Sequence, residues 1–75
     1  MTPQEIFEYR NKWRPNAHSV AVHSDLEHKC KKWCRDNVKP EQWGCFRYID
    51  IYQHDFLFET AEDAESFSRI FFKIL

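Results

Sequence analysis

Trp43–Phe71, WGCFRYIDIYQHDFLFETAEDAESFSRIF, decides the fold. Its first half, through Glu59, is rich in aromatic and β-branched residues, has no proline and has one glycine, Gly44. Apolar residues there recur about every second position, which suits extended strands. At Thr60 the apolar spacing lengthens to about 3.6, and Ala64, Phe67, Phe71 and Leu75 form a helical stripe, with Ile70 and Ile74 alongside and Phe72 off it. Thr60 is the expected N-cap, and Glu62, Asp63 and Glu65 place negative charge at the positive end of the helix dipole. Two strands, Trp43 to about Ile51 and about Asp55 to Glu59, are therefore expected to form a hairpin followed by a helix. The bend carries no Asn-Gly or Gly-x signal. Asp50, Tyr52, His54 and Asp55 cluster there, and their ordinary role is to replace the missing glycine by bonding backbone amides.

Upstream, Thr2-Pro3-Gln4-Glu5 reads as a capping box with proline at the first helical position. That helix carries Ile6, Tyr9 and Trp13 on one side with Phe7 beside them, and Pro15 stops it near Trp13. His18–His23 alternates β-branched residues and reads as a strand. Ser24-Asp25-Leu26-Glu27 has the S-x-x-E form of a second capping box. The helix after it places Leu26, Cys30, Trp33, Cys34 and Val38 on one face and ends at Lys39-Pro40.

The order α-β-α-β-β-α defines an α+β fold, a single compact domain over residues 1–75. A β-α-β crossover predicts parallel first and second strands, and the hairpin adds an antiparallel third. The expectation is a three-stranded mixed sheet with the second and third helices on one face. A chain of 75 residues buries only about 60% of its unfolded surface. Its seven Phe, three Trp and three Tyr offset that small size.

Alternation divides Trp43–Ile51 into Trp43, Cys45, Arg47, Ile49 and Ile51 on one face and Phe46, Tyr48 and Asp50 on the other. The third strand divides into Phe56 and Phe58 against Leu57, flanked by Asp55 and Glu59. Both faces are rich in apolar residues, whereas a half-buried antiparallel sheet shows one apolar and one polar face. Three covers are open for the second face: the first helix, a second copy in a symmetric contact, or another macromolecule docking on the aromatics.

The net charge of −1 is that of neither a strongly basic nucleic-acid binder nor an acidic DNA mimic. Residues 1–40 carry +3 and residues 41–75 carry −4. No apolar run approaches the roughly 20 residues of a membrane span. The start, MTPQEIFEYRNKW, has no apolar signal core, and three cysteines do not make a disulfide framework; reduced thiols and a cytoplasmic setting are expected.

Cys30, Cys34 and Cys45 with His18, His23, His28 and His54 supply zinc-type ligands. Cys30 and Cys34, however, lie in the apolar stripe of a helix, where free cysteine packs as a small hydrophobe. The expectation is no metal and no cofactor. No thiol sits in a nucleophile signature, so no catalytic residue is assigned and the chain is read as non-enzymatic. Lys29, Lys31, Lys32, Arg35 and Lys39 make the second helix basic outside its stripe, and Arg47 adjoins Phe46 and Tyr48. Aromatics on an open sheet with nearby cations can stack bases, so single-stranded nucleic-acid binding through Lys29, Lys32, Arg35 and Lys39 is the alternative.

Lys32-Trp33-Cys34, the run Tyr48–Glu59 (YIDIYQHDFLFE), Glu62-Asp63-Ala64 and Phe67 together resemble small accessory proteins of tailed bacteriophages, over about residues 18–72. The resemblance implies a phage protein that binds and modulates or inhibits a host protein, including a host defence factor, in the host cytoplasm. The residues expected to form the contact are Phe46, Tyr48, Tyr52, Arg47 and Phe72, with a homodimer as one form of it.

Overall fold

A computed structural model describes residues 1–48 and 51–71. Phe72, Ile74 and Leu75 of the expected third-helix stripe and contact lie outside the described residues, as do Ile49 and Asp50 of the expected strand and bend.

The first helix, α1 (Pro3–Trp13), starts with the capping box the sequence specifies. The Glu5 amide donates to Thr2 Oγ1 at 3.2 Å, and the Thr2 amide donates to Glu5 Oε1 at 2.9 Å. Strand β1 (His18–His23) follows, then a 3-10 turn at Ser24–Leu26, helix α2 (Glu27–Asn37) and a 3-10 turn at Pro40–Gln42. Strands β2 (Trp43–Tyr48) and β3 (Gln53–Phe58) form the hairpin, and α3 (Ala61–Phe71) closes the chain. The Asp63 amide donates to Thr60 Oγ1 at 3.2 Å, so Thr60 caps α3 as expected. Tyr52 takes the glycine-like backbone at the bend, with φ 51°.

The α+β class and the element order are those read from the sequence, but the sheet pairing differs. The strand order is β1-β3-β2 and both pairings are antiparallel, so the sheet is not mixed. β1 and β2 still run the same way; β3 is inserted between them, which makes a split β-α-β arrangement. The central place suits β3, because flanking strands shield both edges of the rings that most need burial. Phe56 and Phe58 are fully buried there.

Register places His54, Phe56 and Phe58 on the same face as Val20 and Val22 of β1 and Trp43 and Cys45 of β2. α2 adds Cys30, Cys34 and Val38 to this face and α3 adds Ala64 and Phe67. Phe67 is the hub, with ring centroids 5.1 Å from Phe56, 5.0 Å from Phe58, 4.9 Å from Phe71 and 5.7 Å from Trp33. Burying each such side chain contributes roughly 1.5–3 kcal/mol.

The second capping box is not formed. α2 has no side-chain cap, because both of the expected capping groups are engaged elsewhere. Ser24 Oγ lies 3.0 Å from His54 Nδ1, and Glu27 accepts from Lys31 Nζ at 2.6 Å. A buried imidazole on the central strand needs polar partners more than an exposed helix amide does, so the 3-10 turn forms first and the α-helix begins at Glu27.

Candidate functional site

The two faces of the sheet have different fates. The face carrying Phe56 is filled by α2 and α3. Alternation puts Gly44, Phe46 and Tyr48 of β2, Gln53, Asp55 and Leu57 of β3, and Ser19, Ala21 and His23 of β1 on the other. This second face is itself divided. Along β1 it is small or polar, and Gln53 Nε2 donates to Asp55 Oδ1 at 2.8 Å. Along β2 it is apolar: Phe46 is 44% exposed and Tyr48 40%, and their rings meet edge-on at 4.9 Å.

α1 covers one end of this face and leaves the rest open. It is held largely by polar bonds to the segment entering β2. Arg10 donates through Nε (2.9 Å) and Nη2 (2.6 Å) to the Pro40 carbonyl, and Trp13 Nε1 donates to the Glu41 carbonyl at 2.9 Å. Arg10 also stands over the Trp43 ring, 5.5 Å from its centroid. Tyr9 Oη donates to the Glu59 carboxylate at 2.8 Å, which raises the phenol's pKa above its ordinary value. No residue of α1 is fully buried, and Phe7 is 60% exposed. Between α1 and the sheet a slot of about 170 Å³ is walled by Phe7, Trp13 and Leu57, floored by Gly44, and edged by Arg10 and Arg14. A Cβ placed on Gly44 would meet no atom within 4 Å, so the floor is open space.

Of the residues assigned to a contact from sequence, Phe46 and Tyr48 come together. Arg47 does not join them: it lies on the opposite side of the strand, paired in register with His54. Tyr52, 68% exposed, belongs to a separate trough at the hairpin end with Ile51, His23, Leu26 and Phe71. Phe72 lies outside the described residues. Phe7, Trp13 and Gly44, which line the slot, were not among the residues assigned.

Lys29, Lys32, Arg35 and Lys39 are all exposed. Lys32 pairs with Asp36 at 2.8 Å. α2 packs on the filled face, so this basic surface and the Phe46–Tyr48 pair lie on opposite sides of the sheet. A stacking platform needs cations and rings on one surface, and the fold separates them.

Cys30 and Cys34 are fully buried in the core and Cys45 partly so. Burial pushes the Cys30 thiol up to about 11 and Cys34 to about 12, and raises Cys45 as well. Cys30 and Cys34 pack in the core with Val38, Phe56 and Phe67, and a thiol kept protonated by burial is a poor nucleophile. Among the described residues no group of three or more Cys, His, Asp and Glu side chains is placed to hold a metal ion.

His54 is the polar residue that sequence reasoning misplaced. It sits on the core face of β3, 2% exposed, rather than in the bend. Its Nδ1 meets Ser24 Oγ at 3.0 Å and its Nε2 meets Glu27 Oε2 at 3.3 Å. The Lys31 hydrogen bond holds the Glu27 carboxyl below its usual range. Serine, imidazole and carboxylate in line have the composition of a catalytic relay. Yet the Ser24 amide is committed to the Tyr52 carbonyl at 2.8 Å and the Asp25 amide to His23 Nδ1 at 3.1 Å. Neither can stabilise an oxyanion, and the ring is sealed from substrate. The cluster staples the start of α2 to the central strand and the hairpin. The period-two run His54, Phe56, Phe58 was the signal for its burial.

No protein-family model matches the chain, and no curated protein or solved structure is significantly similar to it. Among the described residues no helix is long and apolar enough to cross a membrane.

Proposed function

We propose that the chain is a protein-interaction module that acts by steric contact through the β2 side of its open sheet face. The observation that carries this reading is the Phe46–Tyr48 pair. Two touching aromatic rings stand exposed on an edge strand while α2 and α3 fill the opposite face. Aromatic side chains of this kind are the usual energetic centres of protein contacts, and charged groups such as Arg10 and Arg14 make the orienting rim. The resemblance to phage accessory proteins supplies the partner class: a host protein in the host cytoplasm, modulated or inhibited by having its surface occluded. The nucleic-acid alternative is disfavoured by the opposite placement of the rings and the α2 lysines.

The test is affinity capture from bacterial lysate with mass spectrometry, using the wild-type chain and two double variants. Phe46→Ala with Tyr48→Ala should lose the captured partner while keeping the far-ultraviolet circular dichroism of the wild type. Lys32→Ala with Arg35→Ala should retain it. Loss through the α2 variant, with the aromatic variant unaffected and binding that falls steeply with salt, would give the role to nucleic acid instead.

A further inference from the structure

β1 and β2 are the two edges of the sheet. Edge strands are normally blunted by proline, charge or a bulge. β2 carries no proline and one charged residue, Arg47, and its exposed apolar side chains are all on the second face. It also holds a glycine at Gly44 whose φ is not positive, so no backbone constraint demands glycine there. Glycine inside a strand costs stability unless something approaches it closely.

These features fit one another across a two-fold axis. We infer that a second copy of this chain pairs its β2 antiparallel with β2, Phe46 opposite Phe46, seating Tyr48 of each copy over Gly44 of the other. The inference rests on the reading of this face as a protein contact and names a second copy as its occupant. An axis normal to the sheet keeps like faces together, so α2 and α3 of both copies stay on one side, α1 of both on the other, and the result is a continuous six-stranded antiparallel sheet. On the second face the two Phe46 rings meet at the axis, and each Tyr48 ring enters the slot between α1 and Leu57. A cavity of about 150 Å³ accepts a benzene ring, and the slot measures about 170 Å³. Its edge offers Arg10 and Arg14 as donors to the incoming phenol oxygen. On the helix side Arg47 falls opposite Cys45, toward the side of the sheet that holds the Glu27 carboxylate. Phe7, Phe46 and Tyr48, three of the large apolar residues left exposed in one chain, lose water together. A register shifted to Cys45 opposite Cys45 would instead strand Tyr48 against Gln42 in the 3-10 turn, leaving the slot to Phe46.

The experiment is sedimentation equilibrium of the full chain from micromolar to millimolar concentration, with three variants. The wild type should reach twice the 9.2 kDa chain mass. Gly44→Val, whose Cβ meets nothing in the single chain, should keep the fold by circular dichroism and weaken the dimer by about tenfold or more. In a Cys45→Ala background, Phe46→Cys should form an intermolecular disulfide on mild oxidation and Arg47→Cys should not, because only the former faces its own copy. A monomer at every concentration overturns the inference, as does a dimer indifferent to Gly44→Val. Wild-type cross-linking through Cys45 overturns the register. A monomer that still captures a host protein leaves the host-contact reading standing, whereas a dimer that captures nothing upholds the pairing and removes that reading.

Discussion

Replacing Phe67 with alanine should remove a large share of the domain's stability. Phe67 is fully buried, and its ring meets Phe56, Phe58, Phe71 and Trp33 at centroid distances between 4.9 and 5.7 Å. It thus ties α2, α3 and β3 together. Truncating a buried Phe to Ala costs about 3–5 kcal/mol, the lost transfer energy plus the cavity left behind. A domain of this size has roughly 4–11 kcal/mol in total, by the usual allowance per residue. With a urea slope of about 1 kcal/mol/M for so small a chain, the midpoint should fall by about 3 M or more. Urea titration followed by tryptophan fluorescence reads this directly, because Trp33 contacts the ring. Phe67→Leu, which keeps most of the volume, should cost less than about 1.5 kcal/mol. Ile70→Ala, one turn on at a side chain 47% exposed, should move the midpoint little. A Phe67→Ala midpoint within about 1 M of wild type would refute the claim that this ring is the centre of the core.

Three further outcomes follow from the geometry. His54→Ala removes a buried ring and leaves Ser24 without its partner, so thermal unfolding should show a loss of about 2–4 kcal/mol, against under about 0.5 kcal/mol for the exposed His28→Ala. The raised thiols of Cys30 (about 11) and Cys34 (about 12) lower stability in alkali: the unfolded chain loses these protons near pH 9 and the folded chain retains them. Stability should be intact below pH 9 and fall by up to about 1.4 kcal/mol per pH unit per thiol as pH rises toward the folded values, and a Cys34→Ala variant melted across that range should show a shallower decline. Trp13→Phe keeps an aromatic ring but deletes the N–H bond to the Glu41 carbonyl, so it should cost about 0.5–1.5 kcal/mol in the same melts.

The local elements were legible because their signals are local. Thr2 and Thr60 cap their helices through their own next turn, and the Cys30-Cys34-Val38 and Ala64-Phe67 stripes record which faces are buried. The sheet order was not legible. A β-α-β run is compatible with adjacent or split strands, and what decides it is the demand of Phe56 and Phe58 for a neighbour on each side. Ser24 misled for a related reason: S-x-x-E is a capping signature only when no buried group competes, and His54, thirty residues away, does. The candidate site was half legible. Alternation put Phe46 and Tyr48 on the second face, but α1's position over Gly44 and Leu57 depends on Arg10 and Trp13 reaching the Pro40–Gln42 turn, a contact no periodicity encodes.

Hydroxyl-radical footprinting across a dilution series tests the uncovered β2 face most directly. In dilute protein Phe46 and Tyr48 should be oxidised readily, as Tyr52 is, while Phe56 and Phe58 stay protected, and both should become protected at high concentration as Tyr52 does not. Protection of Phe46 and Tyr48 equal to that of Phe56 at the lowest concentration would show the chain sealing this face by itself, and would contradict the account.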